Sequence, residues 1–373
     1  MTRYRPTVAM VDLDAVRHNV RAVRPEGSEV MAVVKANGYG HGAIPVARAA
    51  LEAGASWLGV ALVEEGALLR DAGIEAPILV LTEFPRGAEK EALAAGLTPT
   101  LYTEGGIDGL ADAAQSFGRP VAAHVKIDTG MHRVGLLPEL TDGFLERLEE
   151  RKLTLDGLLT HFAKSEAPSD PATRTQLTTF LDLLGRLERR GIRPRLRHAA
   201  NTAASIVIPE SRLDLVRIGI GIYGVSPDPS LDGALDLRPA MSLRSRVSLV
   251  KRLGQGHALS YGFTYRLPRD ANIATVPVGY ADGYARALSN RGRVLIRGRR
   301  YPVVGNVTMD HLMVDCGDDP VEAGDEVVLF GRQDGEEVRI EEVAAWMGTV
   351  GYEVVCAVSE RVPREYAGAR GSG

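Results

Sequence analysis

Between residues 30 and 225, eight short apolar runs alternate with segments of helical period, and this repeat limits the fold more than any other feature of the chain. The runs lie at 30–35, 57–61, 78–81, 97–101, 121–127, 155–160, 196–199 and 213–217. The helical pattern is clearest at 171–190. There Asp170 suits an N-cap and Pro171 the first helical position, Leu177, Phe180, Leu181, Leu184 and Leu187 form one apolar stripe, and Gly191 supplies a stop. Eight βα units predict an α/β domain of the (β/α)8 TIM-barrel type, with a doubly wound open sheet as the competing arrangement. Around Ser226-Pro-Asp-Pro-Ser230 the pattern stops. Runs at 243–253, 273–278, 293–296, 301–304 and 326–330, divided by Gly and Asp turns such as Arg297-Gly-Arg299 and Gln333-Asp-Gly-Glu336, then predict a mostly-β domain. The expected division is a barrel over 1–230 and a C-terminal β domain over 231–373, with 368–373 a frayed tail.

Composition narrows the function classes. With 373 residues, 45% hydrophobic and 25% charged, the chain can bury a substantial core. The 44 basic against 48 acidic residues leave a net charge of -4, which argues against nucleic acid as a partner. No stretch approaches the ~20 apolar residues of a membrane span, and the best candidate, 218–225, is half glycine. The first 14 residues hold only a short apolar run at 8–11, too little for an export signal. The two cysteines, Cys316 and Cys356, stand in no metal-binding pattern. A cytoplasmic protein without a metal is expected.

Gly219-Ile-Gly-Ile-Tyr-Gly224 has dinucleotide-loop spacing, but it runs into Pro227 and Pro229 where that motif should open a helix. Glycines after the eighth barrel strand suit a single phosphate instead. In a parallel barrel the active site lies at the C-terminal strand ends, so polar residues that close apolar runs are the candidates: Lys35, Lys126, His161, His198, Asn201, Thr202 and Arg217. The chain has only six lysines, and of these Lys35 and Lys126 sit on strand ends, where desolvation leaves free amine for Schiff-base chemistry. For either alone, an interior lysine paired with an acid such as Asp128 is an equal reading. A Schiff-base lysine, one phosphate site and a barrel together suggest pyridoxal phosphate. Arg217, a donor that stays protonated, would keep the pyridine nitrogen unprotonated, which favours simple proton removal and return.

These residues fall in motifs. Val34-Lys-Ala-Asn-Gly-Tyr-Gly-His-Gly42 resembles the pyridoxal-lysine signature of bacterial alanine racemases. Lys126-Ile-Asp-Thr-Gly-Met-His-Arg-Val-Gly135, His198-Ala-Ala-Asn-Thr202, Val216-Arg-Ile-Gly219, Ser260-Tyr-Gly262, Gly279-Tyr-Ala-Asp-Gly283, Met309-Asp310, Gly351-Tyr-Glu353 and Arg361-Val-Pro-Arg364 resemble further motifs of that family, in the family's order across nearly the whole chain.

The resemblance implies a pyridoxal 5'-phosphate enzyme of fold type III that interconverts L-alanine and D-alanine for peptidoglycan, acting as a homodimer with shared active sites. A related racemase acting on serine or a broader range of amino acids is the alternative. By position, Lys35 would hold the cofactor covalently and serve as one catalytic base. Tyr261, from the partner subunit's C-terminal domain, would be the base on the opposite face, since a planar carbanion must lose its proton on one side and regain it on the other. Arg133 would orient Tyr261 and the substrate carboxylate, supported by Lys126, often a carbamate in this family. His161 would hold Arg217, Tyr39, Asn201, Thr202, Tyr352 and the N–H groups of Gly219 and Ile220 would bind the cofactor, and Met309 and Tyr280 would shape the partner's pocket. His41, His124, His257 and His311 receive no role. Two departures stand out: His132 where the family usually has glycine, and Thr202 in place of the commoner serine.

Overall fold

The computed structural model describes residues 4–118 and 120–369, so the end of the tail read at 368–373 lies outside the described residues. Strand β1 (Val8–Asp12) stands apart from the eight strands that follow: β2 (Glu29–Val33), β3 (Trp57–Val60), β4 (Ile78–Val80), β5 (Thr100–Leu101), β6 (Val121–Lys126), β7 (Leu153–Leu159), β8 (Leu196–His198) and β9 (Leu215–Ile218). These eight pair in parallel as two runs, β4-β3-β2-β9 and β5-β6-β7-β8. Both seams are joined. At one, Leu79 bridges Thr98 in parallel, and Val80 N donates to Thr98 O at 3.0 Å. At the other, Arg217 N donates to Ala200 O at 3.0 Å. The ring is therefore closed, as a (β/α)8 barrel requires and an open doubly wound sheet does not.

Local signals account for the helices around it. In Pro171–Arg189, Asp170 accepts from Ala172 N at 2.8 Å, a cap contributing about 1 kcal/mol, and Leu177, Phe180, Leu183, Leu184 and Leu187 are buried. Leu181, expected in the stripe, sits at its margin and is only partly buried. Inside the barrel, Met31, Trp57, Leu79, Leu196 and Leu215 form their own apolar cluster below the active-site end.

Most of the remaining strands form one extended sheet in the order Leu249–Leu253, Ala271–Val276, Leu312–Asp315, Arg299–Val304, Arg293–Ile296, Glu326–Gln333, Met241–Arg246, β1, Arg364–Ala367, with Glu336–Val338 paired to Glu326–Gln333, while Ala258–Leu259 and Tyr265–Arg266 pair by themselves. The turns at Arg297-Gly298 and Asp334-Gly335 join hairpins whose central residues all have φ between 50° and 89°, as type I′ turns need. Two features differ from expectation. The run at 243–253 is not one strand, because Val247 N donates to Asp325 O at 2.9 Å while Ser248 N donates to Thr275 O at 2.8 Å, so the chain passes from one ladder to the next. And β1, read only as a short apolar run, pairs antiparallel with Met241–Arg246 and parallel with Arg364–Ala367. The start of the chain thus belongs to the second sheet, a long-range pairing that no local pattern announces.

Candidate active site

The C-terminal ends of the barrel strands surround a cavity of about 610 Å³ whose walls carry Lys35, Lys126, Arg133, His161 and Arg217. Lys35 enters it from a backbone of unusual shape. After β2 the chain makes a left-handed turn, with φ of 52° at Ala36, 51° at Asn37, 62° at Gly38 and 50° at Tyr39. Each non-glycine residue in that conformation costs about 1–2 kcal/mol, so the turn must be held from outside. Ala36 N donates to Glu65 Oε1 at 2.7 Å, Ala43 N to Asn37 Oδ1 at 3.0 Å, and Gly42 N to Asn37 O at 2.8 Å. Gly40 follows at φ 80°, and a Cβ there would lie 2.3 Å from the Val355 carbonyl oxygen. The glycine is therefore needed for close approach to the helix Gly351–Cys356, and Arg364 Nε donates to Gly40 O at 3.0 Å from the same side. Burial, and then the Arg133 cation, lower the Lys35 amine below its usual range.

Arg217 on β9 is the hub of the deeper end. Its Nη1 donates to His198 Nδ1 at 3.1 Å and His198 O at 2.9 Å, and its Nη2 to Thr160 O at 2.6 Å, Ala199 O at 3.0 Å and His161 Nδ1 at 3.2 Å. None of these contacts uses Nε–H. Burial pushes the guanidinium down only to about 10, so it remains a cation at neutral pH. His161 and His198 are held well below the usual imidazole range, by burial first and then by Arg217.

Lys126 is 7% exposed and its Nζ lies 3.5 Å from Leu81 O. Burial, then Arg217, Arg133 and Lys35, push its amine down to about 8. A depressed amine means the folded state binds fewer protons than the unfolded one above about pH 8. The cost of the buried ammonium, about 3 kcal/mol for a fall from ~10.4 to about 8, is present at neutral pH and is relieved as pH rises toward the unfolded value. Lys126→Met apoprotein in carbon-dioxide-free buffer should therefore melt at a higher temperature than the unaltered apoprotein near neutral pH, with the gap closing by about pH 10. A lower melting temperature near neutrality would show the lysine to be a net stabiliser.

At the opposite end of the cavity Asn201, Thr202, Gly219, Ile220, Tyr39 and Tyr352 converge. Asn201 Oδ1 caps the short helix Thr202–Val207 by accepting from Ala204 N at 3.0 Å, and Gly219 N donates to Thr202 Oγ1 at 3.1 Å. The glycine-rich segment after β9 makes a 3-10 turn, Ile220–Tyr223, rather than the long helix of a dinucleotide site. Burial raises the Tyr39 phenol above its ordinary range and Tyr352 to about 12, so both stay neutral donors.

The cavity does not contain Tyr261, Tyr280 or Met309. They lie on the surface, 75%, 41% and 52% exposed. His132 is also exposed, and its φ of 55° explains why glycine would be favoured there; its Nδ1 lies 3.4 Å from Asp128 Oδ2. Two side chains escaped the sequence reading. Cys356 lines the cavity one helical turn after Tyr352, a spacing of four that was legible. His124, given no role, is buried with its Nδ1 2.9 Å from His198 Nε2, a contact across strands that no spacing reveals.

The chain is similar to known proteins over nearly its whole length. Residues 11–227 match the family model described as alanine racemase, N-terminal domain, and residues 240–366 that of the C-terminal domain. The alanine racemase of Symbiobacterium thermophilum is 50% identical over 370 residues, covering 98% of each chain. The crystal structure of alanine racemase from a D-cycloserine-producing Streptomyces lavendulae superposes with a TM-score of 0.94 at 41% identity, covering 99% of both chains. That from Bartonella henselae, with covalently bound pyridoxal phosphate, does so at 0.86 and 28%, covering 97% of this chain and 99% of that one. The residues present fit that cofactor: a half-buried amine with a lowered pKa, an unused guanidinium Nε–H for a ring nitrogen, and hydroxyl and backbone donors for a phosphate. At Gly219 a Cβ would come within 2.7 Å of Tyr39 Oη, so the backbone of the phosphate end is kept open by its glycine. Sequence, fold and cavity lead to one conclusion: the chain belongs to the alanine racemase family, pyridoxal-phosphate-dependent isomerases that interconvert L-alanine and D-alanine.

Proposed function

We propose that this racemase works as a cytoplasmic homodimer in which each active site is assembled from both subunits, the barrel of one (1–230) and the C-terminal β domain of the other (231–373), and that it supplies D-alanine for peptidoglycan. The observation that carries the shared site is the position of Tyr261. Racemisation needs a base on each face of the substrate carbon, and the cavity of one chain holds Lys35 while Tyr261 is 75% exposed elsewhere on the surface. Phe263 at 66% and Met309 at 52% exposure add apolar area on the same domain, which a monomer would leave wet. No helix among the described residues is long and apolar enough to cross a membrane.

When bound, pyridoxal phosphate acidifies the substrate Cα–H by delocalising the electron pair left on carbon. The chain's own residues do the rest. Arg217, with its Nε–H free of the contacts that fix the guanidinium plane through His161 and His198, would hold the ring nitrogen and keep it unprotonated. Tyr39, Thr202, Tyr352 and the N–H groups of Gly219 and Ile220 would hold the phosphate, with Asn201 lining the same end. Lys35 Nζ removes or returns the proton on the D face, and Tyr261 Oη of the partner subunit does so on the L face. Arg133 binds the substrate carboxylate. Lys126, as a carbamate, would turn a repulsive neighbour of Arg133 and Arg217 into an attractive one. Tyr280 and Met309 of the partner subunit narrow the entrance.

Purified protein given L-alanine and pyridoxal phosphate is expected to form D-alanine, with L-serine and L-lysine racemised roughly tenfold more slowly or less, because a narrowed pocket costs about 1–3 kcal/mol per excess group. Equal rates on the three amino acids would overturn the alanine-sized site.

A further inference from the structure

Arg217 is a buried cation whose hydrogen-bond partners among the described residues are carbonyl oxygens and imidazoles, with no carboxylate among them. Its route to an anion runs downward through the barrel. Arginine only donates, so His198 Nδ1 must accept from Nη1 and the ring proton of a neutral His198 sits on Nε2. That proton points at His124 Nδ1, 2.9 Å away, which must in turn accept, leaving the His124 proton on Nε2. His124 Nε2 makes no hydrogen bond among the described residues, and Asp156 Oδ2 stands 3.4 Å from it, close enough for electrostatic contact. Both imidazoles are held neutral by burial, while Asp156 lies well below the usual carboxylate range because His124 and then Arg195 bind it. Arg195 clasps the carboxylate with two bonds, 2.8 and 2.7 Å, and lies over the Trp57 ring at 5.8 Å. One cation thus organises two directed bonds, to His198 and on to His124, whose far nitrogen lies beside one fixed anion.

The barrel is built to accommodate this chain. Along the β6–β7 ladder Ala123 opposes Leu155 but His124 opposes Gly157, so Asp156 is the extra residue of a β-bulge. Bulges re-aim side chains, and this one turns Asp156 toward His124. Gly157 leaves the imidazole its room, since a Cβ there would lie 2.4 Å from His124 Nδ1.

We propose that His124 and Asp156 are positioning residues for the racemisation: through His198 they lock the tautomer and plane that hold Arg217 against the cofactor's ring nitrogen. Neither touches the cavity. The effect would reach the chemistry because a displaced arginine would let the ring nitrogen take a proton and become a stronger electron sink, so that the proton taken from alanine would more often be added to the cofactor's aldehyde carbon, and water would then release pyruvate and leave pyridoxamine phosphate.

The inference rests on the assignment of Arg217 to the ring nitrogen, so the experiment includes Arg217→Gln. The measured quantity in each holoenzyme is the ratio of pyridoxamine phosphate formed, a transamination product, to alanine racemised. Alongside it are measured the pH titration of the bound cofactor's visible absorption and the melting temperature of each variant. His124→Phe, which can neither accept from His198 nor set a polar nitrogen beside Asp156, should raise the ratio at least tenfold and shift the titration. His124→Gln, which keeps one acceptor and one donor, should restore most of both. Asp156→Ala, at the partly exposed end of the chain, tests the same link should His124→Phe not fold, and should raise the ratio about fivefold. A ratio within twofold of the unaltered enzyme in the folded variants overturns the relay, as does an equal effect of Phe and Gln at 124. If Arg217→Gln itself leaves the ratio unchanged, the ring-nitrogen assignment fails first. If it raises the ratio while the His124 and Asp156 variants do not, only the relay fails.

Discussion

Lys35→Ala holoenzyme is expected to lose D-alanine formation by roughly 10³-fold or more, because one substitution removes both the covalent hold on the cofactor and one of two proton-transfer groups. Its visible absorption should revert to that of noncovalently held cofactor. Stability should change little by comparison: Lys35 is not part of the apolar core, and its depressed amine means the folded protein gains nothing from the charge. The left-handed turn is secured by Glu65, Asn37 and Arg364 rather than by the lysine side chain, so the cavity should keep its shape. The experiment therefore separates chemistry from folding. Racemisation within tenfold of the unaltered enzyme, in a variant of unchanged melting temperature, would remove Lys35 from the mechanism.

Tyr261→Phe is expected to slow exchange of the Cα hydrogen of L-alanine by roughly 10²-fold or more, with exchange from D-alanine far less affected. The hydroxyl is the group lost, and the exposed ring is retained. Subunit mixing makes the test sharper. In a dimer with shared sites, a heterodimer of Lys35→Ala and Tyr261→Phe chains carries one site with both bases and one with neither. Equal random mixing yields heterodimers in half the population, so about a quarter of the unaltered activity should return from two nearly inactive proteins. No recovery after demonstrated subunit exchange, or equal losses on the two enantiomers, would contradict a base lent across the interface.

Much of this was legible in the chain because it is encoded locally. The eight apolar runs all became barrel strands, although the run at 97–101 is reduced to Thr100–Leu101 and a bridge at Thr98. The N-cap, proline and glycine around Pro171–Arg189 and the glycine turns at 298 and 335 act over a few residues, through hydrogen bonds and φ preferences that a short window contains. The strand-end lysines and Arg217 were visible for the same reason, since a polar residue closing an apolar run in a parallel barrel faces the cavity.

What tertiary structure alone decided is pairing between distant segments. The sequence around Val8–Asp12 does not say that β1 lies between Met241–Arg246 and Arg364–Ala367, because a strand's partner is chosen by which edges remain open once the rest has folded. Asn37 and Gly38 tolerate a left-handed turn, but Ala36 and Tyr39 would otherwise avoid it, and the contacts from Glu65 and the helix Gly351–Cys356 hold them there. His124 read as an ordinary core histidine until the strand order β6-β7-β8 set it across Gly157 from His198. By itself the sequence determined the units, their order and the groups able to do chemistry. Closure of the barrel and folding of the second sheet determined which of those groups meet, because contacts between side chains far apart in the chain depend on strand register, which local preferences do not set.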